Sequence, residues 1–174
     1  MPAVRAWRAP VAIAIAVIAL DQLTKHWAVT SLGTDREIDL FWTLRLNLAF
    51  NNGMAFGQGQ GFGPLIAVIA TVVIVYLLVS LQTEASPMGT IGMGLLIGGA
   101  AGNLIDRLFR GDDGFLQGGV VDFIDLQWFP IFNIADIAIN VGAALLILNS
   151  ILAARAHRHD DSTDPVADDA GSPT

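Results

Sequence analysis

Two aspartates stand where an apolar chain tolerates them least: Asp122, in Val120-Val121-Asp122-Phe123, and Asp136, in Phe132-Asn133-Ile134-Ala135-Asp136. A carboxylate in or beside hydrocarbon costs several kcal/mol, roughly 2.5–3.5 on insertion scales, so its presence there points to function. Asp136 is set among Ile131, Phe132, Ile134, Ala135, Ile137, Ala138 and Ile139, with no basic residue close in sequence to neutralise it. Two such carboxyls brought together split their titration. One ionises easily, while the other keeps its proton because like charges a few ångströms apart cannot both be negative. The ionised member can take a proton from water and the protonated member can give one to a scissile carbonyl oxygen. That is acid–base hydrolysis of an amide without a covalent intermediate.

Other chemistries lack their parts. There is no G-x-S-x-G elbow, and His26, His157 and His159 lie outside the third and fourth apolar runs, so a serine–histidine mechanism has no base. With Cys 0 there is no thiol nucleophile, disulfide, iron–sulfur cluster or cysteine zinc site. No His pairs with a Glu in an H-E-x-x-H pattern. A zinc protease therefore lacks its ligands. The formal charge of −7 offers no basic footprint for nucleic acid.

Further polar residues cluster around the aspartates. Asn103 and Asp106 are three apart, as are Asn133 and Asp136, a spacing that stacks side chains on one helix face. Asp21 and Lys25, four apart, suit an intrahelical ion pair, with a structural role as the leading reading. Arg107 projects at a different angle from Asp106 and is free to pair with another carboxylate; a boundary salt bridge and a substrate role stand level for these two. Asp112 and Asp113, between Gly111 and Gly114, read as turn residues. Asp125 reads as a helix-end or surface carboxylate.

The elements that must position these residues are membrane helices. The chain has 174 residues, 53% hydrophobic and 14% charged, with mean hydropathy +0.58. It is too apolar for an ordinary soluble domain. Apolar runs predict four spans: Val11 to about Val29, Pro64–Leu81, Ile91–Leu108 and Ile131–Ala154. The third is rich in glycine (Gly89, Gly92, Gly94, Gly98, Gly99, Gly102), which in lipid lets helices approach backbone to backbone. Four spans put both termini on one side. Lys and Arg divide four (Arg5, Arg8, Arg155, Arg158) against five (Lys25, Arg36, Arg45, Arg107, Arg110), and the flanks of the first span favour cytoplasmic termini.

Between the first two spans, Ile38, Leu40, Trp42, Leu44, Leu46, Leu48 and Phe50 alternate with mostly polar residues. That period marks a half-buried strand in a small sheet over about 32–62, closed by a turn at Asn51-Asn52-Gly53. Its apolar face either covers a groove that holds an extended peptide or rests on lipid. One four-span domain over 1–154 is expected, followed by a disordered acidic tail over 155–174.

These residues bear a resemblance. Asp21-Gln22-Leu23-Thr24-Lys25, Asn51-Asn52-Gly53-Met54-Ala55-Phe56, Gly98-Gly99-Ala100-Ala101-Gly102-Asn103-Leu104-Ile105-Asp106-Arg107, Val120-Val121-Asp122-Phe123 and Phe132-Asn133-Ile134-Ala135-Asp136 occur in this order along the chain. Together they resemble the bacterial lipoprotein signal peptidases (signal peptidase II), aspartic intramembrane proteases that remove signal peptides from prolipoproteins. Met54 departs from the family's usual alanine, and Gly111-Asp112-Asp113-Gly114 lengthens the connection after Arg107. The resemblance implies that Asp122 and Asp136 are the catalytic pair. It implies that Asn51, Gly53, Asn103, Arg107 and Asn133 bind or orient the substrate, with Asp21, Lys25 and Asp106 in support, and it implies no metal or cofactor. It further implies an inner-membrane protein with cytoplasmic termini, a periplasm-side sheet, and a site towards the outer leaflet. Its partners would be membrane lipid and prolipoproteins carrying a diacylglyceryl cysteine, cut on the amino side of that cysteine by a monomer. The alternative on the residues alone is a small proton- or ion-coupled carrier, since intramembrane carboxylates also build proton relays.

Overall fold

Apolar sequence long enough to cross a bilayer forms helix at four places. In the computed structural model, which describes residues 7–33, 36–53, 62–81, 86–111 and 116–161, these are α1 (Arg8–Ser31), α2 (Gly63–Ser80), α3 (Pro87–Phe109) and α4 (Ile134–Asp161). All four are long and apolar enough to span a membrane. Pro64 and Pro87 open α2 and α3, where a missing N–H costs nothing, and the Ser86 hydroxyl caps α3 by accepting from the Gly89 N–H. The last helix runs past the expected boundary at Ala154, so Arg155 to Asp161 continue it rather than begin a tail. Alanine and arginine propagate a helix readily, and nothing before Asp161 breaks it. The expected turn at Asp112-Asp113, the Met54 departure and the tail beyond Asp161 lie outside the described residues.

α3 is the common partner, packing on α4, α1 and α2. Its glycines make this possible. A Cβ on Gly98 would sit 2.8 Å from the Ala14 carbonyl oxygen of α1, and one on Gly99 would sit 2.5 Å from that of Ala135 in α4. Neither neighbour is a flexible side-chain end, so only glycine allows both helices to close on α3. Ala14, Leu77, Leu81, Met93 and Ile97 form the apolar core where α1, α2 and α3 meet. The other face of α2 stays uncovered, with Val68, Val72, Val75 and Val79 exposed, as suits a helix facing lipid.

The extramembrane part is a three-stranded antiparallel sheet: β1 (Ile38–Phe41), β2 (Leu44–Asn51) and β3 (Val120–Asp125), in that order. The alternating run of residues 37–50 is thus two strands rather than one. They are joined at Trp42-Thr43, with Trp42 at φ 52°. Ile38 pairs with Leu46 and Asp39 with Arg45. Across the two-residue turn Phe41 pairs with Leu44, which by itself would shift the alternation by one. An irregularity between Asp39 and Phe41 shifts it back, so Ile38 and Leu46 share a face and the period of two runs through the hairpin and conceals it.

The third strand comes from the α3–α4 connection. It puts Asp122 within a strand, where the apolar run before it suggested only a helix end. Val121 and Phe123 pack on Ala28 and Leu32, and Phe123 meets Trp27 edge-on with ring centres 6.5 Å apart. Phe132, just before α4, adds a short bridge to Ile124. β3 is therefore held between β2 and the entry to the last helix.

Candidate active site

The first turn of α4 positions Asp136. Asn133 precedes that helix, and its side-chain oxygen accepts from the Asp136 N–H (3.0 Å) while the Asp136 carboxylate accepts from the Asn133 N–H (3.1 Å). This is a reciprocal capping box, satisfying two N–H groups at the helix start and locking the carboxylate over its own helix end. The spacing of three is thus a cap rather than two residues stacked within one helix. The second backbone N–H, of Ala135, is taken by Asp21 of α1 at 3.0 Å.

Asp122 is carried to the same asparagine by β3. Asn133 Nδ2 donates to Asp122 Oδ1 at 2.7 Å, and Asn51 Nδ2 from the end of β2 donates to Asp122 Oδ2 at 3.2 Å. Asn51 is itself set by a local turn, its oxygen accepting from the Gly53 N–H at 3.1 Å. Asp122 is only 3% exposed. Burial, then the neighbouring Asp136 charge, push its carboxyl from 3.8 up to about 7, against the opposing pull of the Asn133 and Asn51 amides. Asp122 is therefore a carboxyl that holds a proton close to neutral pH.

Behind Asp136 lies a buried polar network. Lys25, wholly buried, pairs with Asp21 (2.9 Å) and with Asp106 (2.8 Å) and donates to Asn103 Oδ1 (2.9 Å). The expected Asp21–Lys25 pair is present, and Asp106 joins it instead of pairing with Arg107. Asp106 also accepts from Arg110 (2.7 Å) and from the Val121 N–H (3.2 Å), tying α3 to β3. Two carboxylates and two cations balance, which a buried charge cluster requires. Gln22 was quoted above only as part of a motif, yet its amide nitrogen reaches the Gly102 carbonyl, Asp21 and Asp106 at 3.1–3.2 Å. Among the described residues no buried side-chain polar atom lacks a partner.

Asn103 joins this network to Asp136, its Nδ2 donating to Asp136 Oδ1 at 2.8 Å. Asn103, Arg107, Asp136 and Gly53 line a cavity of ≈ 390 Å³ whose remaining wall is apolar, with Ala67 and Ala70 of α2, Ala100 of α3 and Ile139 of α4 among it. Asp136 opens onto this cavity. Asp122 is not one of its wall residues and connects to it through Asn133. Arg107 forms no ion pair within 4 Å among the described residues; it donates to the Asn103 carbonyl at 3.3 Å, and Asp122 and Asp136 are the carboxylates whose charge it feels most.

The structure thus gathers every residue singled out from the sequence: Asp122, Asp136, Asn51, Gly53, Asn103, Arg107 and Asn133 around the cavity and its bridging asparagine, with Asp21, Lys25 and Asp106 beneath. Asp125 departs from expectation. It is a buried strand residue, and its carboxylate accepts from Arg45 Nε (2.7 Å), the Gln127 N–H (2.6 Å) and Asn47 (3.3 Å). Arg45 also reaches Glu37 at 2.6 Å, so one guanidinium ties β2 to β3 and to the residue just before β1. Two signals were legible for these features: an Asn-x-x-Asp ahead of an apolar run is a capping pattern, and the Arg45–Asp125 pairing follows once β3 is recognised.

Comparison with known proteins agrees with this geometry. Residues 13–152 match the family model described as signal peptidase (SPase) II. A protein named lipoprotein signal peptidase from Rhodococcus jostii (strain RHA1) is 40% identical over 141 residues, covering 80% of this chain and 71% of that protein. Its namesake from Mycobacterium avium (strain 104) is 38% identical over 148 residues, covering 84% and 81%. A bacterial membrane enzyme solved by the in meso method at 2.3 Å resolution is similar in fold, with TM-score 0.72 and 27% identity over 93% of this chain and 94% of the other. A second, solved at 1.9 Å, gives TM-score 0.68 and 31% identity. Because the family match reaches all four helices and all three strands, this chain belongs to the signal peptidase II family of membrane proteases.

Proposed function

We propose that this protein cleaves signal peptides from prolipoproteins on the amino side of a diacylglyceryl-modified cysteine, using Asp122 and Asp136 to activate water. The observation that carries this reading is the single asparagine, Asn133, hydrogen-bonded to both carboxylates: through its side chain to Asp122 and through its backbone N–H to Asp136. One proton serves the pair. Asp122, which holds a proton up to about 7, donates it to the scissile carbonyl oxygen, and Asp136 takes a proton from the attacking water. Asn133, Asn103 and Asn51 supply N–H donors that fix the carboxyl planes. Arg107, in the cavity wall and free of a carboxylate partner among the described residues, is placed to hold a substrate carbonyl.

The cavity's mixed lining suits a peptide bond on one side and an alkyl chain on the other. α2 packs on α3, and the cavity lies between it and α4, with Ile66 and Ala70 on one side and Ile139 on the other, so on this reading a lipid-borne substrate enters from the bilayer between those two helices. Termini on the cytoplasmic side of the inner membrane, with the sheet and the first turn of α4 at the opposite boundary, put scission towards the outer leaflet. All the named groups come from one chain, so a monomer suffices.

The test is conversion of a lipid-modified prolipoprotein by the purified protein in detergent. Asp122→Asn and Asp136→Asn are each expected to lower turnover by roughly 10²–10⁴-fold with folding retained. Full activity in either variant would remove that residue from the reacting pair.

A further inference from the structure

Lys25 touches neither the cavity nor either of the two proposed reacting carboxylates, yet its chemistry determines what faces one of them. An ammonium has three N–H donors and no acceptor. Those of Lys25, wholly buried, meet Asp21, Asp106 and Asn103 Oδ1 at 2.8–2.9 Å. The Asn103 oxygen also accepts from Asn133 Nδ2 at 3.1 Å. The opposite end of the same amide, Nδ2, lies 2.8 Å from Asp136 Oδ1.

The two ends of an asparagine amide have nearly the same shape, so packing alone does not choose between them. Here the partners do. Turning the amide over would set its NH₂ against the Lys25 ammonium and the Asn133 amide, and its carbonyl against the Asp136 carboxylate. Each contact would then join donor to donor or acceptor to acceptor, and two of the opposing groups, Lys25 and Asn133, are fully buried with no water to turn to.

We infer that Lys25 is a positioning residue for the reaction: through Asn103 it orients an N–H donor at Asp136, so a charge on α1 sets the hydrogen bonding of a carboxylate on α4. This goes further than a supporting ion pair and rests on the reading of Asp136 as a reacting group. A lysine needed only for stability would make no demand on Asn103, and its loss would be independent of what stands at position 103.

The experiment is a double-mutant cycle on turnover of a lipid-modified prolipoprotein. Lys25→Met is made together with Asp21→Asn, so that Asp106 and Arg110 remain a balanced pair. This variant is expected to lose about 10²-fold in kcat, the scale of a misplaced active-site group, with KM changed little. Adding Asn103→Ala to it should cost nothing beyond Asn103→Ala alone, because both changes remove the same donor. Multiplicative losses, or a kcat near the parent value in the Lys25 variant, would overturn the inference. Asn103→Asp supplies a second measurement if the Lys25 variant fails to fold. It keeps an acceptor for Lys25 but replaces the N–H aimed at Asp136 with a carboxylate oxygen, so kcat should fall at least as far, with some loss of thermal stability from the added charge; full kcat would overturn the inference. Asp136→Asn is assayed alongside. If it stays active, the reading of the pair fails and this inference with it. If it is inactive while the cycle is multiplicative, only the role of Lys25 fails.

Discussion

At the scale of single residues, the behaviour of this site is set by where one proton sits. Asp122 is raised to about 7 by burial first and by Asp136 second. The sign of the linkage follows. A carboxyl whose folded value lies above its unfolded 3.8 contributes stability below that value and loses it as pH rises through about 7. The folded protein therefore carries a carboxyl that resists ionisation, as an acid needs. If Asp122 is the proton donor, turnover should fall as pH is raised through about 7, and a rate profile that stays flat from pH 6 to 9 would contradict that role. Asn133 has two tasks, capping α4 and joining the carboxyls. Asn133→Ala should therefore cost roughly 0.5–2 kcal/mol of stability, as lost caps do, and lower turnover by a factor well beyond what that modest destabilisation explains. Chemical denaturation and initial rates measured on the same sample separate the two effects.

At the scale of elements, the site depends on three pieces arriving together: β3, the first turn of α4 and the glycine face of α3. Gly99 makes the close approach to α4, since a Cβ there would stand 2.5 Å from the Ala135 carbonyl oxygen, one residue from Asp136. Gly99→Ala should destabilise by about 1–3 kcal/mol and displace the α4 turn, so thermal midpoint and turnover should fall together. β3 is anchored at its far end by Asp125. Burial pushes that carboxyl up, but hydrogen bonds from Arg45, the Gln127 N–H and Asn47 outweigh it and hold the group below its usual range. Such a group contributes stability above 3.8 and loses it as pH falls through its lower folded value. Asp125→Asn should lower the melting temperature at pH 7, and the gap to the parent protein should narrow at strongly acidic pH.

At the scale of the whole molecule, three of the four helices, α2, α3 and α4, wall a small cavity that Gly53, after β2, completes. The proposed orientation puts the Trp42 turn on the outer side and the end of α4 in the cytoplasm. The chain has Cys 0, so single cysteines can be read without background. A cysteine at Trp42 should react with an impermeant thiol reagent in intact cells, and one at Arg158 should react only after the membrane is opened; the reverse pattern would invert the topology. Every contact described around the carboxylates comes from residues up to Asn140. Removing residues 162–174 should accordingly leave turnover unchanged, as measured on the same prolipoprotein.

The chain's own pattern determined the four helices, the glycine face of the third and the singling out of Asp122 and Asp136, because these are local or compositional properties. Length of apolar run, small-residue spacing and an unneutralised carboxylate all show in one dimension. The hairpin within residues 37–50 stayed hidden because the register irregularity between Asp39 and Phe41 cancels the phase shift of the two-residue turn, leaving the alternation unbroken. β3 stayed hidden because six residues with two aspartates look like a loop until β2 and Phe132 supply their hydrogen bonds. Only the tertiary structure decided that Asn133 joins both carboxylates, that Asp106 belongs to Lys25 instead of Arg107, and that Asp125 is a buried clasp. Those are choices among partners distant in sequence, and they are made by which donors and acceptors remain to be satisfied once the helices have closed and water has left.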